Sequence, residues 1–347
     1  MKSPANSWTR RALVPAGVSL LASPAALHAA TSTVPPRPFL VTGSGGGIGR
    51  AAAVQLGSDE KFVLCGARTS ETAQEAAAAQ GRASLAGFGL ALDVGLEQSD
   101  LMSVRAYVDR LHEVLPAGVE GALLCAGVEA LPLQRTAQGL ETAFAVNVIS
   151  HFVLAVELAA RAADSGRGLR LVSVTSSAAF DSRLHTAALD LNWERRTPFD
   201  RRQAYVDSKA CNVLLADELQ RRSPSNVLAC SADPGPTASL LLRNALPQRA
   251  AQRATMTEEQ LARQARQLGL RTPAQAARGL VWCLTNDQCV PGAVYLGAAA
   301  PAEAAPPLPI WEPSIPWRTE AVAAAVWRAC AECADPWLSP RARRFVA

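Results

Sequence analysis

Only 18% of the 347 residues are charged, and no acid occurs before Asp59. So little charge beside 49% apolar residues excludes a self-repelling disordered chain and leaves material for a large core. Five bases, Lys2, Arg10, Arg11, Arg37 and Arg50, precede that first acid, so the net +4 belongs to the N-terminal stretch and the remainder is nearly balanced. A balanced body argues against a nucleic-acid binder, which needs a basic face on its folded domain. The eight cysteines lack framework spacing, which excludes a disulfide-stapled fold and points to a reducing compartment. Cys330 and Cys333 form a C-x-x-C pair, but in an Ala-rich helical stretch with no second pair nearby, so they read as two thiols on a helix face and no metal is expected. No internal repeat is apparent, and the length suits one large open α/β domain.

Residues 1–36 read as an address and not as structure. Thr9-Arg10-Arg11 leads into an uncharged run rich in Ala, Leu, Val and Ser that ends near Ala29-Ala30. That composition suits an organelle transit peptide, with a twin-arginine export signal and an N-terminal membrane anchor as competing readings. Pro15, Gly17 and Pro24 weaken the anchor reading, because they disfavour a spanning helix.

From residue 37 to 337, short apolar runs alternate with longer helical patterns, the sequence form of a parallel sheet covered on both faces. Strands are expected at 39–42, 62–66, 89–93, 122–125, 170–175, 227–232 and 293–296. Helices are expected at 47–56, 70–80, 100–114, 137–163, 202–222 and 273–285. Thr272-Pro273 opens the last of these with a hydroxyl cap and a proline whose missing N–H costs nothing there. The fold class is therefore α/β: a doubly wound, Rossmann-type parallel sheet of about seven strands in a single domain. Two segments interrupt it. One is a polar insertion at 181–200. The other, at about 237–270, leaves the C-terminal end of the sixth strand and contains the capping box Thr257-Glu258-Glu259-Gln260, which reads as a substrate lid. Residues 338–347 read as a tail.

Thr42-Gly43-Ser44-Gly45-Gly46-Gly47-Ile48-Gly49 joins the first expected strand to the first helix. Glycines there allow a tight turn and let backbone N–H groups approach a pyrophosphate at a helix N-terminus. Gly43, Ser44, Gly45, Gly47, Ile48 and Gly49 are the expected dinucleotide contacts. The second strand ends in Leu64-Cys65-Gly66-Ala67-Arg68 with no acid to take a ribose 2′-hydroxyl, so Arg68 is the candidate clamp for a 2′-phosphate. That favours NADPH/NADP+ over NADH. Asp93 and Val94 close the third strand as candidate adenine contacts, with turn capping as the other role open to Asp93.

Tyr205-Val206-Asp207-Ser208-Lys209 sets a phenol and an ammonium on one helix face. A free phenol has a pKa of about 10, and a neighbouring cation is expected to draw it down towards neutrality so that it exchanges protons with a substrate oxygen. Ser176, with Ser177 one register away, stands at the end of the fifth strand to orient that oxygen. Asn147 lies inside the expected fourth helix, where Asn is a poor helix former; a role in holding Lys209 through water and a local helix distortion are both open.

With Cys125-Ala126-Gly127 and Asp233-Pro234-Gly235-Pro236-Thr237, these residues make the chain resemble the short-chain dehydrogenase/reductase family from about residue 38 to 337. The resemblance implies an Asn147-Ser176-Tyr205-Lys209 tetrad. It also implies cofactor contacts from Ala126, Gly127, Tyr205, Lys209, Pro234, Gly235 and Thr237. Asp190-Leu191-Asn192-Trp193-Glu194 is similar to retinol dehydrogenases, whereas 204–212 is closer to light-dependent protochlorophyllide reductases. Strand four departs from the pattern, with Leu124 preceding Cys125 where the family usually begins with Asn. The reading is an NADPH-dependent enzyme interconverting a bulky apolar carbonyl and alcohol. Its alternatives are a protochlorophyllide reductase and a catalytically silent dinucleotide-binding regulator. Expected partners are a small apolar substrate, a membrane surface and a second copy of the chain, with no nucleic acid. A need for NADPH makes a chloroplast the favoured destination ahead of a mitochondrion.

Overall fold

In the computed structural model, the described residues are 18–21, 37–83, 88–129, 131–238, 263, 267–297, 305–311 and 314–347. Eight strands form one sheet in the order β1-β4-β3-β2-β5-β6-β7-β8. They are β1 (Val18–Leu21), β2 (Phe39–Thr42), β3 (Phe62–Gly66), β4 (Phe88–Leu92), β5 (Gly121–Leu124), β6 (Leu169–Val174), β7 (Val227–Asp233) and β8 (Val294–Leu296). From β4 to β8 across the sheet all pairings are parallel. The seven expected strands are present, with ends shifted by a residue or so. An eighth was not expected: Val18–Leu21, within the stretch read as an address, lies antiparallel on β4 with Val18 opposite Leu92 and Leu21 opposite Gly89. The other residues of 1–36 lie outside the described residues.

The strands are apolar on both sides because helices cover both faces. On one face lie α1 (Gly47–Ser58), α2 (Ser70–Ala83) and α6 (Pro273–Thr285), which bury Leu56, Ala77, Leu280 and Val281. The other carries α3 (Leu101–Val114), α4 (Thr142–Ser165), α5 (Arg201–Arg222), α7 (Glu320–Ala334) and α8 (Pro340–Val346). The Thr272 cap is a full capping box: Gln275 N–H donates to Thr272 Oγ1 (3.2 Å) and Thr272 N–H to Gln275 Oε1 (2.8 Å).

Two expectations are corrected. The fourth helix starts at Thr142 and not near 137, because Gly139 (φ +76) turns a small bridge between Arg135 and Glu141. Glu141 then caps the helix through Ala143 N–H (2.9 Å) and Phe144 N–H (2.8 Å). The tail is part of the body: α8 packs on α4, anchored where Ser339 N–H (2.6 Å) and Oγ (2.8 Å) donate to the fully buried Glu157. Cys330 and Cys333 lie on α7, the first buried and the second half-buried. The sheet order reverses between β2 and β5, so the segments leaving these two strands diverge and open a crevice at the carboxyl ends of the strands.

Candidate active site

Every expected site segment leaves the carboxyl end of a parallel strand. The turn after β2 is closed by three glycines. Gly43 has φ +70, and a Cβ there would stand 2.9 Å from Ala126 Cα; one on Gly49 would stand 2.4 Å from Gly43 O, and one on Gly45 2.6 Å from the Thr72 methyl. Gly46 and Gly47, by contrast, face open space. No side chain caps α1, so its first N–H groups point into that opening as unsatisfied donors. Ser44 turns inward instead: its Oγ and N–H both bond Gly66 O (3.1 Å each), tying the turn to β3. Ile48 is half-buried against the α1/α6 core. Thr42 Oγ1 accepts Cys125 N–H (2.8 Å) and Ala126 N–H (3.0 Å), which holds the Ala126-Gly127 segment against the turn. The residues present fit a dinucleotide: an open anion cradle of backbone donors with a wall of small residues beside it.

Arg68 and Asp93 are less committed to a nucleotide than the sequence suggests. The Arg68 side chain is 78% exposed, and its Nε lies 3.1 Å from Glu97 Oε2. The Asp93 carboxylate is gripped by Arg110 at 2.8 and 3.0 Å, and this pairing holds its pKa below the usual carboxylate range. Val94 packs on the core below it.

Tyr205, Ser176, Lys209 and Asn147 converge beside this wall. Lys209 Nζ lies 5.8 Å from the Tyr205 ring centre, and the Ser176 hydroxyl is near enough to the phenol to ease its ionisation. Ser176 stands at this end of β6, and Ser177 begins a short helical turn that Ser176 caps through Ala178 N–H (3.2 Å). Lys209 is buried with Val174 O as acceptor (3.1 Å) and no carboxylate in salt-bridge range among the described residues. Asn147 sits in a π turn, Ala145–Ile149, that interrupts α4. Its amide is spent on Val128 N–H (2.8 Å), Val128 O (2.9 Å) and Ser208 Oγ (2.9 Å), so the helix distortion is real and the side chain braces the β5 loop.

The expected direction of the Tyr205 shift is corrected. Burial, then the charge of Glu129, push its pKa well up, the Ser176 hydroxyl only partly offsetting them. Lys209 is instead pulled down to about 8 by burial. At neutral pH the phenol therefore keeps its proton and stands as a donor. His151, fully enclosed behind Thr42 Oγ1 (3.0 Å), is depressed to about 3 by burial, then by Lys209, and is neutral.

Sequence reasoning missed Glu129, because a lone acid after Gly127-Val128 matches no motif. It is half-buried, its own pKa raised by burial and lowered in part by Lys209 and Arg202. Its charge favours the ammonium of Lys209 and opposes ionisation of Tyr205. Glu129→Gln should move the alkaline limb of the kcat/KM profile to lower pH and cut activity on that limb several-fold; an unmoved limb would remove Glu129 from the site's electrostatics.

After β7, Asp233 accepts Gly235 N–H (2.9 Å) and Thr237 Oγ1 donates to Gly235 O (2.8 Å), a compact turn in which Gly235 (φ +76) lies against Arg271. Arg271, buried and also unforeseen, donates to Gly297 O (2.7 Å) and pairs in backbone with Pro236 and Ala238. The ends of the 237–270 excursion are thus stitched together beside Pro234, Gly235 and Thr237. Residues 239–262, with the capping box at Thr257, lie outside the described residues. The 190–196 stretch is a strap: Asp190 accepts the N–H groups of Glu194, Arg195 and Arg196 at 3.0 Å each, and Arg135 holds Trp193 O (2.9 Å).

A family model described as short chain dehydrogenase matches residues 38–188. The WW domain-containing oxidoreductase of Drosophila melanogaster is 32% identical over 210 residues, 57% of this chain and 48% of that protein. Human retinol dehydrogenase 11 is 30% identical over 222 residues (62% and 66%), and mouse polyprenol dehydrogenase 32% over 221 (61% and 64%). The matched region spans about half to two thirds of these relatives. Among solved structures, an uncharacterized protein from Mycobacterium Paratuberculosis superposes with TM-score 0.63 at 23% identity, covering 87% of this chain and 96% of its own. A short-chain dehydrogenase from Sphingobium yanoikuyae in complex with NADPH gives 0.54 at 20%, covering 75% and 87%. At these identities the structures speak to the fold.

Proposed function

Because the chain belongs to the short-chain dehydrogenase/reductase family, we propose that it is an NADPH-dependent oxidoreductase that interconverts a bulky apolar carbonyl and its alcohol. The observation that carries this reading is the convergence of Tyr205, Ser176 and Lys209 beside an uncapped, glycine-lined helix terminus. The nicotinamide, when bound, supplies or accepts the hydride. Gly46, Gly47 and the α1 N-terminus would hold its pyrophosphate. Gly43, Gly45 and Gly49 shape the turn, and Ala126, Gly127, Val94 and the Pro234-Gly235-Thr237 turn would border the rest.

The chain's own groups do the proton chemistry. Tyr205 Oη carries the proton that passes to the substrate oxygen on reduction, and its burial keeps that proton in place beforehand. Ser176 Oγ, next to that phenol, orients the substrate oxygen. Lys209 presents its charge to the same crevice and stabilises the phenolate left after transfer. Retinol and polyprenol dehydrogenases are named for apolar alcohols, which favours that substrate class over a tetrapyrrole.

Arg68 is the proposed 2′-phosphate ligand. Its exposed pairing with Glu97 is weak enough to exchange, since such pairs contribute only about 0–1 kcal/mol. Steady-state assays of an apolar aldehyde with each nucleotide test this. Wild type should prefer NADPH, and Arg68→Ala should lower the NADPH:NADH ratio of kcat/KM by about 10- to 100-fold, the loss of charge-assisted hydrogen bonds. A wild-type preference for NADH would end the NADPH reading.

A further inference from the structure

Beneath the sheet, on the α1/α6 face and away from the carboxyl ends, three thiols meet. Cys230 lies mid-way along β7, Cys283 in the last turn of α6 and Cys289 in the loop before β8. All three are buried and free, and their sulfurs lie within 4.8 Å of one another, Cys230 and Cys289 at 3.6 Å. The sequence hides this group: the spacings match no metal motif, and only the return of α6 onto β7 brings the thiols together.

We propose that Cys230, Cys283 and Cys289 form a three-thiolate site for one thiophilic d10 cation, cuprous or zinc, separate from the nucleotide crevice. With metal–sulfur bonds of about 2.3 Å, tetrahedral or trigonal geometry needs sulfurs ~3.8–4.0 Å apart, so shifts of no more than about an ångström would close the group on an ion. Thiolates select soft cations over the harder ones that oxygen ligands hold. A hydrophobic packing role would be served as well by alanine or valine and gives no reason for three sulfurs in mutual contact.

The loop that carries Cys289 is fixed from two sides. Tyr295 Oη accepts Val290 N–H (2.7 Å), one residue from Cys289. Arg170 holds the same loop, donating to Asn286 O (2.9 Å) and to Asp287 Oδ1 (3.2 Å). Cys289 also provides access, because its neighbours Gln288 and Val290 are exposed. Binding is an exchange without redox change: three S–H protons leave to solvent as three metal–sulfur bonds form. Three sulfurs without a fourth protein donor in the group suit a cuprous ion, and a zinc ion would take a water as its fourth ligand.

The site ties the end of α6 to β7, so an ion there should stabilise the fold without entering hydride transfer. The test uses the full chain, purified under reductant and stripped with chelator, then titrated anaerobically with zinc or with cuprous ion under ascorbate against a chromophoric chelator. One equivalent of at least one ion should bind at sub-micromolar affinity, release protons and raise Tm by several degrees. Cobalt should give thiolate-to-metal charge-transfer absorption. Cys289→Ser and Cys283→Ala should each weaken binding by about 100-fold or more, while Cys333→Ser leaves it intact. Preference for zinc or for cuprous ion identifies the occupant, and either supports the site. Binding of neither ion above the level of the Cys289→Ser chain, binding unchanged in both cluster variants, or failure of the stripped, reduced wild-type chain to take up metal overturns it. These readouts do not depend on the enzyme's substrate or nucleotide.

Discussion

Tyr205→Phe should lower kcat by about 10²–10⁴ while leaving NADPH affinity nearly unchanged. The ring is buried, so phenylalanine fills the same space, and the substitution removes only the hydroxyl beside Ser176. The loss then measures proton transfer and substrate polarisation and not a damaged fold. Steady-state kinetics on an apolar aldehyde, together with a fluorescence titration of bound NADPH, separates the two. A variant within a few-fold of wild type would mean that another group supplies the proton.

Glu157→Ala should be the most damaging substitution remote from the site, costing about 3–5 kcal/mol and lowering Tm by roughly 10 °C. The Glu157 carboxylate is fully buried and gathers Arg105 from α3 with both the N–H and the hydroxyl of Ser339 ahead of α8. Truncation leaves the Arg105 guanidinium with Asp109 and Trp337 O but without its buried carboxylate, beside one nitrogen that is already buried and unbonded, and it releases the C-terminal helix. Thermal unfolding of the variant checks this. A change within a degree or two would show that α8 contributes little to the fold.

The architecture was legible because each buried strand is a short apolar run set between helical patterns, and strand and helix signals seldom compete in such a chain. The terminal helices were harder to read. α8 is only seven residues long and its partner, Glu157, is an acid inside an otherwise apolar helix, so nothing local announces the contact. Candidate site residues stand out in the sequence where chemistry fixes the spacing, as in Tyr205 and Lys209 or the glycine turn, and the structure brings these together. Glu129 and Arg271 act through space, and their importance appears only when strands β5 and β7 are set in place.

The direction of the Tyr205 shift shows the same limit. A one-turn spacing suggests that the ammonium acidifies the phenol, but burial sets the direction of both shifts: it raises the one and lowers the other. The phenol thus keeps its proton in the free chain, which suits the proposed role of Tyr205 as a donor in carbonyl reduction. The reverse direction requires the phenolate, and therefore added positive charge in the crevice.

On the proposed function, hydride and proton reach the substrate together in the crevice beside Tyr205. Single-turnover reduction of an apolar aldehyde with NADPH deuterated at its nicotinamide hydride position tests it most directly. One deuterium should appear on the carbinol carbon of each alcohol formed, with the hydroxyl proton drawn from solvent by way of Tyr205. Alcohol formed without deuterium at that carbon, or nucleotide left unoxidised across apolar aldehydes and ketones, would contradict it.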